Sequence, residues 1–270
     1  MSVLTLLPDG SCEWRLDGKL HREEGPAVIY VDGSQFWYTN DKCHRKDGPA
    51  IIHGDGTQYW YINDELNRKD GPAVIHANGD QEWYINGKLH RENGPARIYT
   101  DVSQSWYING ELHRKDGPAV VRANGSQAWF INGKLHREDG PAINCANGTQ
   151  YWYINDKCHR KDGPAVIHAD GDQEWHNNGK LHREAGPAVI CANGTQYWFI
   201  NGELHREDGP AINCANGDQE WFINNEHFRE PLNGEPSPVI VRKTEISYDG
   251  ETFISISEDE YEKYKFHTTG

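Results

Sequence analysis

At 270 residues the chain is long enough for one or two ordinary domains, yet only 36% of it is apolar, with a single Met against ten Trp, thirteen Tyr and 28 Gly. That balance excludes a core packed from Leu and Met on helices and favours short strands and tight turns closed around aromatic rings. The net charge of -14 makes a long nucleic-acid backbone a poor partner, because phosphates would be repelled.

In chain order, residues 1–9 are a short lead-in without the basic flank or the length of a signal peptide, and nowhere does an apolar run reach bilayer length. Six cysteines (12, 43, 145, 158, 191 and 214) fall in different repeat columns without a pairing pattern, which reads as free thiols in a reducing compartment and hence a soluble cytoplasmic protein.

Residues 10–230 are tandem repeats. All ten tryptophans, from Trp14 through Trp37, Trp60, Trp83, Trp106, Trp129, Trp152, Trp175 and Trp198 to Trp221, are spaced by 23 residues without insertion or deletion. Such regularity over nine to ten copies requires a structural repeat. An Arg column from Arg22 to Arg229, a His column from His21 to His205 (Asn67 replacing one member) and Gly-Pro-Ala from Gly25 to Ala211 keep the same frame.

Each unit carries two turn signals, such as Asn78-Gly79 and Asn86-Gly87, flanked by strand formers. Both predict two-residue hairpins, since Asn-Gly accepts positive φ at both central positions. Between them Gln81 to Ile85 predicts one strand, with Gln81, Trp83 and Ile85 on one face and Glu82 and Tyr84 on the other; Ala73 to His76 predicts the strand before it. Proline 72 and its equivalents belong at strand starts, and no helix is needed. A lone hairpin cannot bury its Trp, so the units must stack into an elongated twisted sheet or a solenoid.

Residues 231–238 are a Pro-rich linker. Residues 239–257 predict a hairpin around Asp249-Gly250, and Ser257 to Glu260 a capping box opening a short helix, together a polar cap for the last repeat. The fold class is therefore all-β, a tandem β-hairpin array with a small C-terminal hairpin and helix.

The units resemble MORN-type repeats, on the segments Asn86 to His90 and Asn132 to His136, the glycine that follows, and Asn147-Gly148 running into the aromatic strand to Tyr153. They depart from that pattern by carrying Arg-x-Asp-Gly-Pro-Ala in place of a second glycine-rich step. The resemblance is to a variant found in antitoxin-like, phage and large-virus proteins, and it implies a scaffold of successive hairpins, in a host cytoplasm if viral. A second resemblance, on Trp-Tyr-Ile-Asn-Gly, is to secreted wall-binding repeats that hold choline or glucan, though their Gly-x-Met step is missing.

Invariant columns hold an array together, so specificity belongs to varying ones. The residue before each Trp varies (Phe36, Tyr59, Glu82, Ser105, Ala128, Tyr151, Glu174, Tyr197 and Glu220), as does the residue after each Val-Ile pair (Tyr30, His53, His76, Tyr99, Arg122, Cys145, His168, Cys191 and Cys214). Their mixture of rings, acids and histidines suits a protein contact facing outward, with Phe36, Tyr59, Glu82, Tyr151, Glu174, Tyr197, Glu220, His53, His76 and His168 as candidate binding residues. Trp37 to Trp198 are assigned to structure, and the His and Arg columns to hydrogen bonding of turn carbonyls or a neighbouring Asp.

A metal on Cys145, His168, Cys191 and Cys214 is disfavoured, because equivalent positions of successive units lie roughly 10 Å apart, beyond shared tetrahedral ligation. No unrepeated nucleophile, base and acid stand out, and no phosphate loop precedes a helix, so neither catalysis nor a cofactor is expected. The acidic chain has no basic face for a membrane. The reading is a non-enzymatic scaffold for another protein, with oligomerisation open; the alternative is a small ligand or carbohydrate held between aromatic rings such as Tyr84 and Tyr107. The segment Asn40 to Ala50 recurs at Asn155 to Ala165, five units on, which points to block duplication.

Overall fold

The computed structural model describes residues 1–228; the linker, hairpin and capping helix expected over 231–270 lie outside the described residues. What is described is all-β, a row of successive antiparallel hairpins. No helix among these residues is long and apolar enough to cross a membrane. They divide into two compact units, residues 1–137 with 142–146, and residues 138–141 with 147 onward.

In the first unit the strand Val3–Leu6 pairs with Cys12–Leu16, whose start pairs with Val28–Ile29. From there two-residue strands pair in chain order: Val28–Ile29 with Gln35–Phe36, then Ile51–Ile52, Gln58–Tyr59, Val74–Ile75 and Gln81–Glu82, continuing to Ile143–Asn144. The second unit repeats the pattern from Gln150–Tyr151 through Val166–Ile167 and Gln173–Glu174 to Gln219–Ile223. Alongside, each repeat adds a small separate hairpin, such as Tyr84–Ile85 with Lys88–Leu89.

The strand expected over Gln81 to Ile85 is thus two strands broken at Trp83. Gln81–Glu82 belongs to the main sheet and Tyr84–Ile85 to the side hairpin. Trp83 is the corner, its N–H donating to Ala96 O at 2.8 Å while its own carbonyl accepts from His90 N at 3.0 Å. Period-2 alternation survives the corner, because Tyr84 Oη still reaches Glu82 Oε2 at 2.8 Å.

The two turns also differ. Asn86 and Gly87 both have positive φ, 47° and 72°, as a two-residue type I′ turn requires. At Asn78-Gly79 only the glycine does, at 94°, and the turn closes through Gly79 N to His76 O and His76 N to Asp80 O, a three-residue loop. Asn78 Oδ1 accepts the Asp80 N–H at 3.0 Å and so holds its own backbone out of the left-handed region. Val102 stands where other repeats place that glycine, with φ 69° and a side chain 70% exposed. Since a β-branched residue is strained there and packs against little, Val102→Gly is expected to raise stability by about 1 kcal/mol, read from the urea midpoint.

The core is built from alanines. Ala27, Ala50, Ala73, Ala96, Ala119, Ala142, Ala165, Ala188 and Ala211 are each 0% exposed. Their carbonyls take the Trp N–H one strand away, as Ala50 O does from Trp37 and Ala211 O from Trp198, both at 2.8 Å. Only a methyl fits where the chain from the Gly-Pro step passes under the corner.

Successive repeats are tied by short side chains. Ser34 Oγ accepts Gly54 N, Thr57 Oγ1 accepts Ala77 N, and Asp80 Oδ1 accepts Thr100 N, each 20 residues along the chain. In the second unit Thr149, Asp172 and Thr195 do the same for Ala169, Ala192 and Ala215. At the side hairpins Asp41 and Asp64 accept Leu20 N and Cys43 N, 21 residues away.

Candidate functional site

The invariant columns are structural. From Arg22 over Trp14 to Arg206 over Trp198, each guanidinium lies 3.9–4.2 Å from its Trp ring centroid, covering Trp37, Trp60, Trp83, Trp106, Trp129, Trp152 and Trp175 in turn. Nη1 of Arg45, Arg91 and Arg183 also donates to a proline carbonyl four residues on, at 3.1 Å. The turn-carbonyl role expected of the Arg column holds, and the stacking on Trp was not visible in the spacing. It accounts for the glycine of Gly-Pro-Ala: a Cβ on Gly71 would sit 2.9 Å from Arg68 Cζ.

The histidines bond the next repeat, at an asparagine. Nδ1 of His90, His113, His159 and His182 lies 3.1–3.2 Å from the backbone N of Asn109, Asn132, Asn178 and Asn201, within reach of its N–H. Asn67, the exception in the column, keeps the link through Asn86 Oδ1 at 3.0 Å. Its substitution is therefore drift within a tolerant position.

The varying columns do come together. In the first unit Tyr30, Phe36, His53, Tyr59 and His76 form an unbroken ladder of edge-to-face rings with centroids 5.3, 5.7, 5.6 and 6.5 Å apart. This follows from register, since Phe36 lies opposite Val28 and Ile51, so the residues flanking those strands meet on one face. Tyr61, two residues on from Tyr59, stacks on it at 6.3 Å, and burial raises the phenol of Tyr61 above its ordinary value. The ladder then reaches Glu82, whose carboxylate lies 3.8 Å from His76 Nε2 and 3.3 Å from Arg97 Nε.

The stripe expected to face outward is only part-exposed over these residues. Phe36, His53, Tyr59 and His76 are half-buried, and Glu82 is only 15% exposed, because rings in adjacent repeats cover one another and Tyr84 and Arg97 cover the acid. What it offers a partner is a set of fixed ring edges.

In the second unit Tyr151 lies 6.2 Å from His168, and Glu174 accepts from two histidines, His168 Nε2 at 3.3 Å and His176 Nε2 at 2.8 Å. Tyr197 and Glu220 continue the column, Glu220 exposed. His176 occupies a position filled by Tyr or Phe in every other repeat but the first, which has Arg15, and its Nδ1 is buried without a hydrogen-bond partner. The hydrogen bond from His176 outweighs burial and holds the Glu174 carboxyl below its ordinary 4.5, with His168 adding to it. A depressed carboxyl contributes stability above its unfolded value that is lost as pH falls through the folded one. His176→Tyr should therefore remove the orphan nitrogen and flatten the fall in urea midpoint below about pH 4.5, measured from pH 6 to 3.

The six cysteines are free thiols, and burial pushes those of Cys43 and Cys158 up to about 12. Among the described residues no three His, Cys, Asp or Glu side chains converge as a metal site. Set against models of known protein families and against curated proteins, the chain matches none.

Proposed function

We propose that the chain is a non-enzymatic repeat scaffold that binds another protein through the face carrying its varying columns. The observation that carries this is the ring ladder from Tyr30 to His76, which ends in the acid Glu82. Ring edges fixed by neighbouring rings lose little rotamer freedom on binding, which is why aromatic residues supply so many interface anchors. The invariant Arg, His and Trp bond mainly within the array, so recognition of a protein falls to the varying face. The net charge of -14 favours a partner with a basic surface.

The likeness to variant MORN repeats supports the scaffold role and a viral or phage protein acting on a host or defence factor in the cytoplasm. The experiment is capture by the tagged full chain from source or host extract, with mass spectrometry and a native mass of the bait. A stoichiometric partner should be lost with Tyr59→Ser/His76→Ser, whose circular dichroism stays unchanged, and kept with Lys88→Ser on the side hairpin. Capture indifferent to the ladder, or a small mass retained on the bait with no protein, would overturn the reading.

A further inference from the structure

A second feature lies off the varying face. Between two repeats of the first unit is an open cavity of about 840 Å³ lined by Arg68, Lys69, Asp70, Trp83, Ile85 and Arg91, among others. That volume is within the range of about 300 to 1,000 Å³ typical of small-molecule sites. Its floor is apolar on Trp83 and Ile85, and its walls carry two half-buried guanidiniums.

Those guanidiniums are already immobilised. Arg68 stacks 4.0 Å from Trp60 and donates Nη1 to Pro72 O at 2.9 Å; Arg91 stacks 4.0 Å from Trp83 and donates Nη1 to Pro95 O at 3.1 Å. Each uses one N–H in this way. The Nε and Nη2 of Arg91 make no further hydrogen bond among the described residues, so a rigid, part-used donor fork borders the cavity.

The sequence at this repeat differs in the one position that matters for charge. Two residues after the stacking Arg, the repeats carry Glu24, Asp47, Asp70, Asp116, Asp139, Asp162 and Asp208, but Asn93 after Arg91 and Ala185 after Arg183. Such an acid can take the guanidinium, as Asp208 Oδ1 takes Arg206 Nε at 2.8 Å. At Arg91 an amide stands in that position, so no carboxylate there can take the guanidinium. The remaining acids, Asp70 and Glu92, are on the exposed rim, Glu92 with a side chain 78% exposed and 4.0 Å from His90 Nε2, and Lys69 offsets one of them. Rim charges are screened by solvent, whereas half-buried ones act at closer range and lower dielectric.

The geometry points to a binding site for a small organic oxyanion, phosphate- or carboxylate-bearing, with its charged group on Arg91 and its apolar body against Ile85 and the part of Trp83 that Arg91 leaves uncovered. The planar fork of Arg suits both oxyanions. Equivalent positions in neighbouring repeats are roughly 10 Å apart, so one group cannot bridge Arg68 and Arg91, and the ligand needs a body that spans the floor.

The test is calorimetric titration of the full chain at low ionic strength with phenyl phosphate, benzoate and uncharged phenol. Binding of phenyl phosphate or benzoate, without phenol, supports the proposal, and the tighter of the two names the oxyanion. Asn93→Asp restores the residue most repeats carry, so the fold is retained; it should weaken binding by about tenfold or more, while Asn93→Ala does not. Phenol binding as tightly as the anions, neither anion binding, or Asn93→Asp binding like the parent chain would each overturn it.

Discussion

Trp106→Ala is expected to cost about 3 kcal/mol, at the lower end for removal of a large aromatic side chain because the ring is only half-buried. The loss has three parts. The ring leaves the corner between main sheet and side hairpin, the Arg114 guanidinium loses the surface it covers at 4.0 Å, and His113 loses part of the packing that aims its N–H at the Trp106 carbonyl. In an array each repeat is supported mainly by its neighbours, so the damage is local at first. Urea unfolding followed by both far-UV circular dichroism and tryptophan fluorescence should show a lower midpoint and two transitions that no longer coincide. Coincident transitions with an unchanged midpoint would mean that the ring contributes little.

The opposite change at the same corner should also be costly. Ala119 is 0% exposed and its carbonyl accepts the Trp106 N–H at 2.8 Å. Ala119→Leu adds three carbons where no volume exists, and overpacking of this kind costs roughly 1–3 kcal/mol. Here the strain falls on a hydrogen bond as well, since the strand can accommodate Leu only by moving away from Trp106. Amide exchange at Trp106 should accelerate along with the drop in midpoint, whereas Ala119→Gly, which removes a methyl without crowding, should leave that amide protected.

Much of this architecture was legible in the sequence, and particular residues show where legibility stopped. Invariant 23-residue spacing of Trp gave the array, and Asn86-Gly87 gave a type I′ turn because both φ values follow from the residue types. Asn78-Gly79 looked the same in sequence and is a different turn, decided by the hydrogen bond from Asp80 N to the Asn78 side chain. Alternation correctly placed Glu82 with Tyr84, yet could not reveal the break at Trp83, since a strand that changes partner keeps its side-chain period. Ala73 and its equivalents carried no signal as core, being small and next to Pro; only the three-dimensional approach of chain to corner makes a methyl the right size.

For the candidate face, the varying columns were found by asking which positions the array does not need. That reasoning located Phe36, His53, Tyr59 and His76 together but not their mutual burial, which depends on contacts between side chains from different repeats. The pairing of Glu174 with His176 was not read from the sequence, where His176 stands alone at a position mostly filled by Tyr or Phe. The acid-to-amide change at Asn93 was present in the sequence all along and had meaning only once Arg91 was seen stacked and bordering a cavity.

The side-chain ties from Ser34 to Gly54, from Thr57 to Ala77 and from Asp41 to Leu20 span 20 or 21 residues whichever repeat they start from. Contact order in such a chain is fixed by the period and falls, relative to length, with every repeat added. A β protein of this length would ordinarily fold slowly because its pairings are distant; this one closes only short loops, over and over. Duplication of whole 23-residue blocks therefore adds surface without adding a topological barrier, and a gain or loss of any other length would put the ties that span it out of step.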